Sequence, residues 1–225
     1  MTVTFQASLL GFGDAPGLAG PEGAGENGDL GEPGDPVVAV ERTLLTHGAW
    51  IDVQRGWLPG ADALFERLMG AVPWRAERRQ MYDRVVDVPR LVCFYAEQSP
   101  LPDAYLARAK RALDARYTAE LGEPFRTAGL CCYRDGRDSV AWHGDTIGRS
   151  RTQDTMVAIV SLGSPRTLML RPRDGGAPAL RHALGHGDLF VMGGSCQRTW
   201  EHAIPKTARP VGPRISVQFR PRGVR

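Results

Sequence analysis

The feature that most constrains the fold is a change of pattern at Phe125. From there onward, short apolar runs alternate with Gly, Pro and Asp, a pattern typical of a β-sandwich or barrel. Six of these runs are predicted strands: 126–133, 139–143, 155–162, 166–171, 188–192 and 213–220. Apolar residues at helical spacing predict two earlier helices, at 61–69 and 102–121. Helices followed by strands favour an α+β fold, a double-sheet jelly roll braced by N-terminal helices.

The first 36 residues differ in composition from the rest of the chain. Residues 11–36 contain nine glycines and four prolines. Such a segment has little apolar surface to bury, so we expect residues 1–36 to be flexible. The domain is predicted to span 37–225, with helical support and a substrate lid in 37–125 and the jelly-roll core in 126–225.

Charge is distributed unevenly along the chain. Residues 1–36 hold six of the 25 acidic residues and no Lys or Arg, so the remainder carries 28 basic against 19 acidic side chains, a net charge of +9. A basic body attracts a polyanion such as nucleic acid, although solubility alone is the alternative explanation. The N-terminus lacks the pattern of a signal peptide, and no apolar run is long enough to cross a membrane. We therefore expect a cytoplasmic monomer without a membrane partner.

His143, Gly144 and Asp145 form an HxD triplet. In an extended chain, residues two apart point to the same side, so both side chains can reach one ion. The triplet alone is a weak signal, and a solvated turn after a strand is the alternative. His202, 57 residues after Asp145, supplies a second imidazole. Two histidines and one carboxylate on one face of the metal are the ligands of non-heme Fe(II) oxygenases.

Residues 214–220 alternate strictly between apolar and polar side chains. Ile215, Val217 and Phe219 are predicted to face the core, which places Arg214, Ser216, Gln218 and Arg220 on the other face. Two arginines on an inner face are costly unless anions satisfy them, and a carboxylate is the natural partner of a guanidinium. A solvent-facing edge strand is the alternative.

Residues 129–145 resemble the metal-binding segment of AlkB-type Fe(II)/2-oxoglutarate-dependent dioxygenases. Residues 187–194, then His202, then residues 213–220 continue the resemblance in the family's order, over roughly residues 85–221. The resemblance implies a double-stranded β-helix. It also implies an enzyme that uses Fe(II), 2-oxoglutarate and O₂ to remove alkyl groups oxidatively from nitrogen atoms of bases in DNA or RNA. An aldehyde is released, with succinate and CO₂ as co-products.

The resemblance also implies roles for individual residues. His143, Asp145 and His202 would bind Fe(II), and no further catalytic residue is expected. Arg214 would pair with the distal carboxylate of 2-oxoglutarate, and Arg220 would lie near its keto-acid end. The expected co-substrate contacts are completed by Ser216, Tyr133 and Cys131. Cys131 departs from the family pattern, which usually has Asn there, so one hydrogen bond to the co-substrate is in doubt.

Substrate contacts are expected in the segment 88–95 and near the metal. Tyr95 is the candidate for stacking on a flipped base, with an ordinary strand aromatic as the equal alternative. Arg90 and Arg171 are candidates for phosphate or rim contacts, and Trp142 is either a substrate contact or a core residue. The basic cluster 74–84 is predicted to be a lid that holds phosphates, or else a solvated face. Ile147 replaces the acidic residue that many relatives use to read the base.

Two other functions fit the same residues. The iron chemistry could act on a protein side chain or a small molecule instead of a nucleic acid, and the departures at Cys131 and Ile147 leave room for this. A non-catalytic nucleic-acid binder is a third hypothesis. The complete HxD…H set with both arginines argues against it, because a binder has no need of them.

Overall fold

The computed structural model describes residues 33, 39–81, 84–175 and 178–224, with no account of the side chains of 78–87. The predicted flexible segment 1–36 lies outside the described residues apart from residue 33. The described strands are β1 (Glu41–Leu44), β2 (Ala49–Gln54), β3 (Arg75–Met81), β4 (Arg84–Tyr95), β5 (Thr127–Tyr133), β6 (Val140–His143), β7 (Val157–Gly163), β8 (Arg166–Pro172), β9 (Leu180–Leu184), β10 (Asp188–Gly194), β11 (Trp200–Ile204) and β12 (Arg214–Arg220). The helices are α1 (Ala61–Ala71), α2 (Ala104–Leu121) and α3 (Cys196–Thr199), with 3₁₀ turns at Thr46–Gly48 and Arg149–Arg151.

Both predicted helices are present with nearly the predicted bounds. Asp103 caps α2, because its side chain accepts hydrogen bonds from the backbone N–H groups of Tyr105 at 2.8 Å and Leu106 at 3.4 Å. Gly122 ends the helix in the left-handed conformation, with φ of 83°. The glycine explains why the C-terminal end was predicted correctly, whereas the predicted start at residue 102 lies one residue before the Asp103 cap.

Each of the six predicted strands is present, shifted by no more than two residues at either end. The prediction of residues 37–125 as helical support was incomplete, because four strands (β1 to β4) also lie there. β9 and β11 were missed as well. β11 is five residues long and includes Glu201 and His202, so its apolar alternation is weak.

The strands form two antiparallel sheets. The larger sheet has the order β1-β2-β10-β7-β12-β5-β4-β3, and the smaller has the order β6-β11-β8-β9. Most neighbouring strands around the cavity, such as β10 with β2, β12 with β5 and β11 with β6, are distant in sequence, as in a double-stranded β-helix, and the predicted α+β jelly roll is confirmed.

Apolar side chains bury both faces of the larger sheet. One core lies between the sheets and includes Ile159 and Phe190 of the larger sheet with Leu168 and Leu170 of the smaller one. The other core lies between the larger sheet and helices α1 and α2, and it takes up three side chains of β12: Ile215, Val217 and Phe219. The alternation of β12 therefore points its arginines into the space between the sheets. None of the helices among the described residues is long and apolar enough to cross a membrane.

The helix-facing core predicts a clear contrast between two leucines. Leu106 of α2 is fully buried, whereas Leu44 of β1 is 78% exposed. We expect Leu106→Ala to lower the free energy of unfolding by about 2–5 kcal/mol, because it removes buried methyl groups and leaves a cavity. The control Leu44→Ala should change it by less than about 0.5 kcal/mol. Urea denaturation followed by circular dichroism measures both, and equal values would contradict this account of the core.

Candidate active site

Pairing of two short strands brings the candidate metal ligands together. His143 at the end of β6 lies directly opposite His202 of β11, and their ring centroids are 4.1 Å apart. Asp145 follows two residues later, with its Oδ1 3.8 Å from Nε2 of His143. One potential ligand atom from each of the three residues lies within 4.8 Å of the others, and all three residues are buried.

Hydrogen bonds orient His143 and Asp145. Nδ1 of His143 lies 2.8 Å from the carbonyl oxygen of Ala141, which fits Nδ1–H as donor and leaves the Nε2 lone pair free. The backbone N–H of Asp145 donates to Oε1 of Gln197 at 2.9 Å. Arg220 Nε donates to Oδ2 of Asp145 at 2.7 Å, while Oδ1 is buried and has no hydrogen-bond partner among the described residues. An unpaired buried carboxylate oxygen beside two imidazoles fits a metal ion.

The protonation states also suit a metal. Burial and, for His143, the neighbouring His202 lower the histidine pKa values, to about 4 for His202 and well below 6.5 for His143. Burial alone would raise the pKa of Asp145, but Arg220 and the two histidines outweigh it and lower that pKa. The site therefore presents two neutral imidazoles and one carboxylate at neutral pH, and a metal binds these forms.

Gly144 has a steric reason to be glycine. A Cβ atom there would lie 2.4 Å from Nη2 of Arg173 and 2.6 Å from the backbone oxygen of Gln197. The Arg173 side chain could move, but the backbone carbonyl is fixed by α3. The middle residue of the HxD triplet is thus part of the site's geometry.

Arginines line the same cavity on the side of β12. Arg214 is 1% exposed; its Nε donates to Ser161 Oγ at 3.0 Å, and neither Nη atom has a hydrogen-bond partner in the part of the chain that is described. Nη1 of Arg220 also has no hydrogen-bond partner among the described residues. Tyr133 lies opposite Arg214 in the sheet, with the guanidinium carbon 5.3 Å from its ring centroid. Buried, unsatisfied guanidinium groups fit an anion of the dicarboxylate type.

Cys131 and Ser216 also line the cavity and are partners in the β5–β12 pairing. Gln218, on the same face of β12, was not chosen as a site residue from the sequence. Its Nε2 donates to Ser216 Oγ at 2.7 Å, and the Cys131 thiol lies 3.7 Å from its Oε1. A side-chain amide therefore reaches the region where Cys131 replaces the family's Asn. The strict alternation of β12 was the signal that could have identified Gln218.

The structure corrects two of the expected substrate contacts. Tyr95 is 7% exposed and lies in the core under the helices, because it shares a strand face with Cys93 and not with Arg90. It is therefore not available to stack on a base in the cavity. Arg90 is 5% exposed and lines the cavity itself, with Nη1 3.3 Å from the carbonyl oxygen of Ser139, so it does not lie at the rim.

The remaining candidates lie outside the cavity, on the outer face of the smaller sheet. The guanidinium of Arg171 stacks over the half-buried Trp142 ring, 4.3 Å from its centroid. Glu201 holds Arg171 at 2.9 Å and Arg173 at 3.2 Å. Trp142 directly precedes His143, so this cluster flanks the candidate metal ligands. No pattern in the sequence indicated a role for Glu201 or Arg173. Of the predicted lid 74–84, side chains are described only for 74–77, and residues 82 and 83 lie outside the described residues.

The packing around Gly144 leads to a prediction about metal binding. Gly144→Ala should weaken binding of a divalent ion by at least about tenfold, because relieving the clash displaces His143 and Asp145 (a shift of 1.4 kcal/mol suffices). Gly70→Ala is the matched control, since a Cβ at Gly70 meets nothing within 4 Å. Titration with Co(II), followed by absorbance, measures both. Unchanged affinity in Gly144→Ala would contradict the assignment.

The lowered histidine pKa values predict how the metal-free protein responds to acid. Between pH 6.5 and about 4, His202 takes up a proton in the unfolded chain but stays neutral in the folded one. The pKa of His143 is also well below 6.5 in the folded chain, so His143 acts in the same direction. Stability should therefore fall as the pH falls through this window. Urea unfolding at pH 7 and pH 5 with a chelator tests this. The double variant His143→Gln, His202→Gln should show a shallower pH dependence, and an equal one would refute the explanation.

Comparisons with known proteins agree with this geometry. A family model described as the 2OG-Fe(II) oxygenase superfamily matches residues 57–220. The sequence is 30% identical over 199 residues to Alpha-ketoglutarate-dependent dioxygenase alkB homolog 3 of Homo sapiens, covering 80% of this chain and 66% of that protein. It is 27% identical over 227 residues to DNA oxidative demethylase ALKBH2 of Arabidopsis thaliana, covering 85% of this chain and 68% of that protein.

A solved structure shows the same fold. An oxidoreductase of the 2OG-Fe(II) oxygenase family from Burkholderia pseudomallei matches with a TM-score of 0.53 and 14% identity, over 76% of this chain and 84% of that one. The chain spans just under two thirds of the length of the human relative. Because the family model covers most of the described domain, the chain belongs to the 2OG-Fe(II) oxygenase superfamily, as an AlkB-type member whose family implies Fe(II), 2-oxoglutarate and O₂ as cofactors.

Proposed function

We propose that this protein is a dioxygenase that removes alkyl groups oxidatively from nitrogen atoms of bases in DNA or RNA, releasing an aldehyde. The main support for the proposal is a group of buried polar atoms without hydrogen-bond partners in one cavity. Asp145 Oδ1 and the two Nη atoms of Arg214 lack partners among the described residues and line the same space between the sheets. Unpaired buried polar groups are costly, so their presence in one cavity points to a metal ion and an anion as ligands.

His143, Asp145 and His202 would hold the iron. Fe(II), with 2-oxoglutarate and O₂, supplies the oxidation, and 2-oxoglutarate is converted to succinate and CO₂. The lowered pKa values keep the two imidazoles neutral at neutral pH, so each has one unprotonated ring nitrogen and no proton has to leave before the metal binds. Arg220 would fix the rotamer of Asp145 through its hydrogen bond to Oδ2, leaving Oδ1 directed at the ion.

Arg214 would bind the distal carboxylate of 2-oxoglutarate through its two free Nη atoms. Ser161 orients the guanidinium through Nε, and Tyr133 lies against it. Burial raises the pKa of Tyr133, which therefore stays a neutral hydrogen-bond donor. Ser216 and Gln218 would complete the polar wall in place of the amide that Cys131 lacks. Arg90, inside the cavity, would contact the bound ligand and not a phosphate at the rim.

Nucleic acid is the substrate that the surroundings favour. Trp142 and Arg171 form a rigid aromatic and cationic surface beside the metal ligands, suited to a nucleotide next to the modified one. The body of the chain carries a net charge of +9. One relative is named a DNA oxidative demethylase. Oxidation of a protein side chain or small molecule is the second candidate, favoured by the placement of Tyr95, which leaves the cavity without the expected stacking aromatic.

Formaldehyde release tests the proposal directly. With Fe(II), 2-oxoglutarate and O₂, we expect release from DNA or RNA oligonucleotides that contain 1-methyladenine or 3-methylcytosine. His143→Ala should abolish the release, because the metal loses one of three ligands. His47→Asn is the matched control, since His47 lies outside the cavity and its φ of 64° suits Asn.

The outcomes separate the candidate functions. Activity that persists in His143→Ala would refute the ligand assignment. Absence of Fe(II)-dependent 2-oxoglutarate binding in anaerobic titration would refute both oxygenase functions. Turnover of amino acids or peptides without turnover of oligonucleotides would favour the second candidate over the first.

A further inference from the structure

A second concave surface lies on the outer side of the smaller sheet. It is formed by the start of β8, by β9 and by the segment that follows β11. Its exposed cations are Arg181, Lys206 and Arg209. We call these three residues and the surface between them the basic groove. None of the described residues that line it is acidic.

The cations of the basic groove have no side-chain partners among the residues that the structure describes. Neither a hydrogen bond nor an ion pair engages the side chains of Arg181, Lys206 and Arg209 within the described part of the chain. Several other exposed arginines are paired: Arg134 with Asp138, Arg171 with Glu201, and Arg222 with Glu97. The groove is therefore a local concentration of uncompensated positive charge.

The floor of the groove is rigid. Arg166 is 4% exposed and donates to the carbonyl oxygens of Asp135 at 3.0 Å, Asp138 at 2.8 Å and Pro205 at 2.7 Å. These bonds tie the segment after β11, which carries Lys206 and Arg209, to the start of β8. Arg166 also lies 5.6 Å from the ring centroid of Tyr133, a residue of the catalytic cavity. Arg166 thus connects the floor of the groove to a residue that lines the cavity.

The outer face of β8 leads from the groove toward the candidate metal ligands. Thr167 lines the groove, and Arg171 lies on the same outward face four residues later, against Trp142. At about 3.3 Å per strand residue, these positions are about 13 Å apart. Helices α1 and α2 pack on the other sheet, so they do not cover this path.

We propose that the basic groove binds the phosphodiester backbone of the nucleic acid, several nucleotides away from the base that enters the catalytic cavity. The inference rests on the proposed function and adds a location for the flanking strand. Lys and Arg side chains gain affinity for phosphates by releasing counterions, and this gain does not depend on base sequence. The groove should therefore contribute to affinity for long oligonucleotides and contribute nothing to the oxidation step.

The test compares two double variants that remove the same charge. Arg181→Gln, Arg209→Gln changes the basic groove. Arg111→Gln, Arg116→Gln changes two exposed arginines of α2, on the opposite side of the molecule. Binding of an unmodified single strand of about 15 nucleotides is measured by fluorescence anisotropy over a range of salt concentrations. Formaldehyde release is measured on a 1-methyladenine strand of the same length and on a 1-methyladenine trinucleotide.

We expect the groove variant to bind the long strand on the order of tenfold more weakly at low salt, with the slope of log K against log salt reduced by about 1.4 for two lost contacts. KM for the long substrate should rise, while kcat and activity on the trinucleotide stay unchanged. The α2 variant should match the wild type. Equal affinity and equal slopes in the two variants, an equal loss in both, or no binding by the wild type, would overturn the inference. If the wild type binds but releases no formaldehyde, the proposed function fails while the binding data still decide the groove.

Discussion

The structure depends on one constraint: charged and polar groups are buried between two sheets without enough partners. Arg214 and Arg220 lie at the two ends of β12, which is flanked on both sides by paired strands, so neither guanidinium can turn to solvent without breaking the sheet. Asp145 neutralises Arg220, and its Oδ1 has no hydrogen-bond partner among the described residues. Such burial costs free energy that a metal ion and a dianion would offset. Binding of these ligands would therefore stabilise the fold.

The two sheets contribute different parts of the candidate site. Helices α1 and α2 cover one face of the larger sheet, and the arginine side chains of β12 project from the other face. The smaller sheet contributes both histidines through the β6–β11 pairing, and its outer face carries Trp142, Arg171 and the cations of the basic groove. The candidate metal site is thus enclosed between the two sheets, while the surfaces suited to a large polyanion lie on the outer face of the smaller sheet. The cavity and the basic groove can coexist because they lie on opposite faces of the same four strands.

Much of this organisation could be predicted from local patterns. Alternation from Arg214 to Arg220 has a period of two, so the sequence alone separates the core face of β12 from its polar face. Asp103 and Gly122 mark the ends of α2 because capping is local chemistry. The HxD triplet indicates two ligands for the same reason, since residues two apart in an extended chain share a side. Each of these inferences needs only neighbours in sequence.

Other features could not be read in this way. Segment 88–95 was predicted to present Tyr95 to a base, but which face of β4 meets the cavity is set by its pairing with β5, and that pairing buries Tyr95 and turns Arg90 inward. β11 is too short and polar to be recognised, although it carries His202.

The sequence by itself determined the residue types, the period of two in strands such as β12, and the pair of candidate ligands two residues apart. Only the tertiary structure decided that His202 lies opposite His143, that Gln218 faces Cys131, and that three exposed cations from separate segments form one groove. The physical reason is that strand register and sheet closure are set by contacts between residues far apart in the chain, which no local pattern specifies.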